Sequence, residues 1–123
     1  MDFFQKLFGY KEPTLIVAES DNWTQLEPSH DLDVTIARRA RKEKWPPTSA
    51  DAPAEFHCML IVHGGFSDGY LEVNCLGKPI AIFNHEQVAD TMERMRADNG
   101  LRMTAVKTTA FLDADRWIVT VNI

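Results

Sequence analysis

Four histidines, two cysteines and a scatter of carboxylates are the groups with which this chain can do chemistry. His57-Cys58 with His63 is its nearest approach to a metal cluster. On a strand, however, His57 and Cys58 point to opposite faces, and no further Cys or His stands at ligand spacing, so no metal site is expected. His63-Gly64-Gly65 is similar to the oxyanion-hole glycines of esterases. That chemistry needs a G-x-S-x-G nucleophile elbow, which the sequence lacks. Asp113 and Asp115 fall in a turn-forming stretch, where Asp is ordinary turn chemistry rather than half of an acid–base pair. No Walker loop and no dinucleotide glycine fingerprint occur. The expectation is a protein that is not an enzyme and carries no cofactor. A hydrolase built on His63 and Asp68 is the distant catalytic alternative.

Charge offers more than catalysis does. Ala37 to Trp45 holds Arg38, Arg39, Arg41, Lys42 and Lys44, five of the 13 basic residues, bordered by an indole able to stack on a base. One reading is a solvated helix face; the other is a strip that contacts phosphates and weakens with salt. The net charge of -5 argues against wholesale adhesion to nucleic acid or anionic lipid, though not against a local patch. Cys58 and Cys75 lie in separate apolar runs and form no C-x-x-C. Buried free thiols in a reducing cytoplasm are expected, with a disulfide between adjacent strands as the alternative.

These residues must be positioned by a chain of 123 residues, the size of one domain. Residues 1–12 form a short apolar amino-terminal segment in which Phe3, Phe4, Leu7 and Phe8 share one helical face. It is too short for a secretory core, and no run reaches the ~20 apolar residues of a membrane span. That face docks either on its own domain or on a protein partner. Thr14 to Ala18 reads as a strand, and Ser20-Asp21-Asn22 as the cap of a short helix through Trp23 and Leu26, ended by Pro28. Ser29 to Lys44 fits a helix capped by Ser29 or Asp31, with Leu32, Ile36 and Ala40 at helical spacing, although Leu32, Val34 and Ile36 also alternate like a strand. Residues 45–53, with three prolines, make an exposed internal loop.

Phe56 to His63 and Tyr70 to Cys75 read as strands around the turn cluster Gly64 to Gly69. Gly77-Lys78 turns the chain into Ile80 to Phe83, where Ile80 and Ile82 are expected on one face and Ala81 and Phe83 on the other. Asn84 with Gln87 spells a capping box, Glu86 favours the helix dipole, and Val88, Met92 and Met95 draw an apolar stripe that Asn99-Gly100 ends. Leu101 to Phe111 and Arg116 to Ile123 complete the chain as strands, the latter with Trp117, Val119, Val121 and Ile123 on one face. The result is an α+β, mainly β domain. Its expected architecture is a small, strongly bent antiparallel sheet or barrel of about six strands with two helices.

With its elements in this order, the chain resembles a HIRAN domain in its small stand-alone bacterial form. The similarity rests on Phe4-Gln5-Lys6-Leu7-Phe8-Gly9 and on Val73 to Glu86, where Gly77, Ile80, Phe83, Asn84 and Glu86 fall at family positions. The closing Arg116 to Ile123 is also similar. The family's E-P-x-N-P-x-D stretch would lie at Val62 to Asp68, where only Asp68 and a shifted aromatic, Phe66, correspond. Ile80-Ala81-Ile82 stands where the family has V-G-Y/H, and residues 45–53 form an unusual insertion. HIRAN domains of helicases grip the 3′ end of single-stranded DNA. The resemblance therefore implies a cytoplasmic, non-catalytic binding module with Asp68 near the end group and Phe66 and Tyr70 as stacking surfaces. Arg38, Arg39, Arg41 and Trp45 are the accompanying nucleic-acid candidates. A protein-interaction or accessory module without nucleic-acid binding is the alternative, with Phe3, Phe4, Leu7 and Phe8 as its contact.

Overall fold

The computed structural model describes residues 22–98 and 100–123. The expected strand over Thr14 to Ala18 and the apolar face of Phe3, Phe4, Leu7 and Phe8 lie outside the described residues. Six strands and two helices follow in the order β1 (Trp23–Gln25), α1 (His30–Glu43), β2 (Ala54–His63), β3 (Tyr70–Cys75), β4 (Lys78–Asn84), α2 (His85–Ala97), β5 (Met103–Asp113) and β6 (Arg116–Asn122). The strands form one sheet, β1-β6-β5-β2-β3-β4, antiparallel at every pairing.

The sheet is curled into a half-barrel, mainly β, as the binary pattern implies. Helix α1 packs against both β6 and β4. Those strands are four spacings apart, roughly 19 Å in a flat sheet, whereas a helix is about 10–12 Å across. The sheet must therefore bend around α1. Leu32 and Ile36 of α1, with Met92 and Met95 of α2, are completely buried against the inner face and contribute about 2 kcal/mol each. Strand β2 alternates along its length, sending Phe56, Cys58, Leu60 and Val62 inward.

The helix signals in the sequence act as read. Ser29 caps α1 by accepting from Leu32 N at 3.0 Å. Its far end closes in a Schellman pattern, with Trp45 N donating to Ala40 O and Lys44 N to Arg41 O. Lys44 takes the left-handed conformation (φ 55°) that glycine usually fills. At the start of α2, Gln87 N donates to Asn84 Oδ1 at 3.1 Å and Asn84 N to Gln87 Oε1 at 3.0 Å, a complete capping box. Val88, Met92 and Met95 are buried, and Gly100 (φ 67°) donates to Arg96 O past the helix end. Asp33 ties α1 to the sheet, because its carboxylate accepts from Trp117 N at 2.9 Å and from Arg116 Nε at 2.7 Å.

Two expectations are corrected. Trp23 to Gln25 is not a capped helix but the edge strand β1, paired Trp23↔Asn122 to Gln25↔Thr120. So short a helix gains too few hydrogen bonds to offset its nucleation, whereas the open edge of β6 supplies partners at once. The simple alternation in β4 also fails. Ile80 and Phe83 are buried while Ile82 is 61% exposed. The register shifts between Val73 and Asn74, which pair with Ala81 and Pro79, so Ile80 is the extra residue of a bulge and turns inward.

Candidate binding site

The β2–β3 hairpin sorts the candidate residues into two groups at its opposite ends. At the loop end, Gly69 N donates to Gly65 O at 2.7 Å. A Cβ at Gly69 would stand 2.0 Å from His63 O, so only glycine lets the two arms approach this closely. Asp68 is exposed, with its carboxylate folded over Gly65, where a Cβ would meet Asp68 Oδ1 at 2.5 Å. Phe66 is half-buried against the core, and the Arg102 guanidinium lies 5.3 Å above its ring centre. Arg102 also donates to Gly64 O, which clamps the loop to the start of β5.

Tyr70 completes this group. It pairs in register with His63, and their rings stack with centroids 4.8 Å apart and planes 15° from parallel. His63 Nε2 is 2.8 Å from Glu72 Oε1, and Asn74 Nδ2 donates to Glu72 Oε2 at 2.7 Å, which fixes the histidine from behind. Tyr70 itself remains 41% exposed. The loop and its flanks thus carry a carboxylate, a stacked aromatic pair and a cation.

The other group behaves differently. Arg38 and Arg41 are exposed on the solvent side of α1. Arg39 turns inward, donating to His57 O at 2.8 Å and to Glu43 Oε2 at 2.7 Å, with Cys75 Sγ at 3.7 Å and the Phe56 ring 4.7 Å from its guanidinium carbon. Burial opposes its charge, yet Cys75 and Glu43 together hold its pKa above the ordinary value. Trp45 packs on Phe56 at 5.0 Å and Trp117 at 6.0 Å, and its Nε1 donates to Glu43 Oε1. Arg39 and Trp45 therefore join the interior of the domain instead of lining a surface strip.

The two groups do not share a surface. Arg39 touches β2 at His57, six residues from His63, which is roughly 20 Å along a strand. Of the seven residues proposed from sequence, Phe66, Asp68 and Tyr70 share one loop, with Phe66 packed toward the core and Tyr70 exposed beside His63, and Arg38, Arg39, Arg41 and Trp45 lie elsewhere. His63, named from sequence only with Asp68 in the hydrolase alternative, and Arg102, which the sequence did not single out, belong to the loop group. The signal for His63 was present, since a residue on either side of a closed hairpin loop must face its partner. Arg102 had none, because its place depends on how β5 pairs with β2. The inward turn of Arg39 was legible: it follows Leu32 and Ile36 at the next helical step.

Among the described residues, no three or more His, Cys, Asp or Glu side chains gather as a metal would need. No helix among them is long and apolar enough to cross a membrane. No family model, curated protein or solved structure matches the chain.

Proposed function

We propose that this domain is a non-catalytic binding module that holds the end of a single-stranded nucleic acid at its Gly64 to Tyr70 loop. The observation that carries the reading is the half-exposed Tyr70 ring, stacked on His63 at the foot of the loop that carries Asp68. A flat base stacks on such a ring regardless of sequence, at about 1–3 kcal/mol per base. The Asp68 carboxylate can accept a hydrogen bond from a free terminal hydroxyl and repels a terminal phosphate.

Fluorescence anisotropy with a labelled oligonucleotide tests this at low salt, comparing a free 3′ hydroxyl with a 3′ phosphate. The free end should bind more tightly, and Tyr70→Ala should weaken binding by about 5-fold or more. Asp68→Ala should remove the preference for the free end. No binding at low salt, or equal affinity for the two ends, defeats the reading.

One observation favours a second reading, a protein-interaction module. On the outer face of the sheet, Ile82, Glu72, Ile61 and Met103 lie side by side in register on β4, β3, β2 and β5. Ile82 and Met103 at the two ends of this row are 61% and 54% exposed, apolar surface of the kind that protein contacts bury. A chain that ignores oligonucleotides yet self-associates or captures a partner, and ceases to do so with Ile82→Lys, fits this alternative.

A further inference from the structure

Met59 pairs with Asn74 at the end of the β2–β3 register; continuing that register one step would set Cys58 opposite Cys75, and the two side chains are within hydrogen-bond reach of each other. Both are free thiols, both face the core, and both are 1% exposed. Residues directly opposed on antiparallel strands have Cα atoms about 4.5–5.5 Å apart. That separation lies within the range of about 4.4–6.8 Å that a disulfide spans. The Arg39 guanidinium reaches 3.7 Å from Cys75 Sγ.

From this geometry we propose that Cys58 and Cys75 form a peroxide-sensitive dithiol, with Cys75 as the attacking sulfur and Cys58 as the resolving one. The proposal stands apart from the ligand reading, because the pair lies at the other end of the hairpin from the Asp68 loop. The hydrogen bond from Cys58 and the neighbouring Arg39 bring Cys75 down to about 7 against the burial that raises it. The same hydrogen bond, with burial, pushes Cys58 well above the ordinary thiol value. The charged and titratable groups facing Cys75 are Arg39 and Glu43 from α1, Cys58 from β2 and Lys78, its register partner on β4.

The chemistry balances with hydrogen peroxide as oxidant. The Cys75 thiolate attacks one peroxide oxygen, the O–O bond breaks, and the departing hydroxide takes up a proton to leave as water. Cys75 is then a sulfenic acid. The Cys58 sulfur gives up its proton and attacks the Cys75 sulfur, the S–O bond breaks, and a second water leaves. Two thiols have lost two electrons, and the peroxide has become two waters. Because both sulfurs are buried, the oxidant must be nearly as small as water.

The test treats the full chain with hydrogen peroxide at neutral pH, followed by alkylation and mass spectrometry. The expected product is lighter by two hydrogens, carries a Cys58–Cys75 crosslink, and is restored by dithiothreitol. Glutathione disulfide at the same concentration should react at least about 10-fold more slowly, being too large to enter. Cys58→Ser should stop at a sulfenic acid on Cys75, read as one added oxygen in the mass of the chain, and Arg39→Gln should slow oxidation about 10-fold. If Arg39→Gln fails to fold by circular dichroism, the wild-type rate decides instead: it should rise through a midpoint near pH 7. Oxidation without the crosslink, faster attack at Cys58 than at Cys75, or thiols that resist peroxide until the chain unfolds would each overturn the proposal.

Discussion

Asp33 is the sharpest place to test how the half-barrel is closed. Its carboxylate makes two contacts with β6 that carry different energies. The bond from Trp117 N at 2.9 Å has an ionised acceptor and a partly buried donor, which places it at about 1.5–3 kcal/mol. The ion pair with Arg116 at 2.7 Å joins a side chain that is 52% exposed, so solvent screening leaves at most about 1 kcal/mol. Asp33→Ala removes both contacts and strands the Trp117 amide, and should cost about 2–3 kcal/mol. Asp33→Asn keeps an acceptor for that amide and should cost about 1 kcal/mol or less, as should Arg116→Ala. For a chain of this length, 1 kcal/mol corresponds to about 4 °C in melting temperature, so the alanine variant should melt roughly 8–12 °C below the parent. Urea unfolding followed by circular dichroism gives the free energies, with an unchanged m-value as the control for two-state behaviour. If Asp33→Asn costs as much as Asp33→Ala, or if Arg116→Ala matches it, then the charge pair rather than the amide bond holds α1 to β6. Assigning the larger share of the energy to the Trp117 amide would then be wrong.

Two further outcomes test the hairpin and the cap. Asn84→Ala deletes the acceptor for Gln87 N and should destabilise the fold by about 1 kcal/mol, with Asn84→Ser recovering most of it; thermal melts in which alanine and serine behave alike would refute the capping account. Gly69→Ala places a methyl against two backbone oxygens at 2.0 and 2.6 Å, neither of which a side-chain rotation can relieve. It should cost about 2 kcal/mol and shift the amide resonances of Ser67 and Asp68 in an NMR spectrum, whereas an unchanged melt and spectrum would mean that the two arms are not held this close.

Much of the fold was legible because its signals are local. Ser29 and the Asn84–Gln87 box start their helices wherever the helices are placed, since they satisfy orphan amides within a single turn. The alternation of Phe56 to Val62 and of Trp117 to Ile123 fixed which side of each strand is buried, because successive side chains on a strand point to opposite faces. The misread segments share one physical trait. Trp23 to Gln25 and Ile80 are placed by a partner strand, through an open edge in one case and an extra residue in the other. No periodicity within the segment records such a partner.

The candidate site divides along the same line. The sequence alone determined that Phe66, Asp68 and Tyr70 share a glycine-rich turn, and that a basic, Trp-bordered helix end exists. Only the tertiary structure decided that His63 backs Tyr70, that Arg102 covers Phe66, and that Arg39 turns inward to meet Cys75. It also decided that the basic helix end and the Asp68 loop lie at opposite ends of one hairpin. A side chain's type is written in the sequence, but its neighbours are chosen by strand register and by the bend of the sheet around α1. Both follow from burying the whole apolar face at once, which no short stretch of sequence can specify.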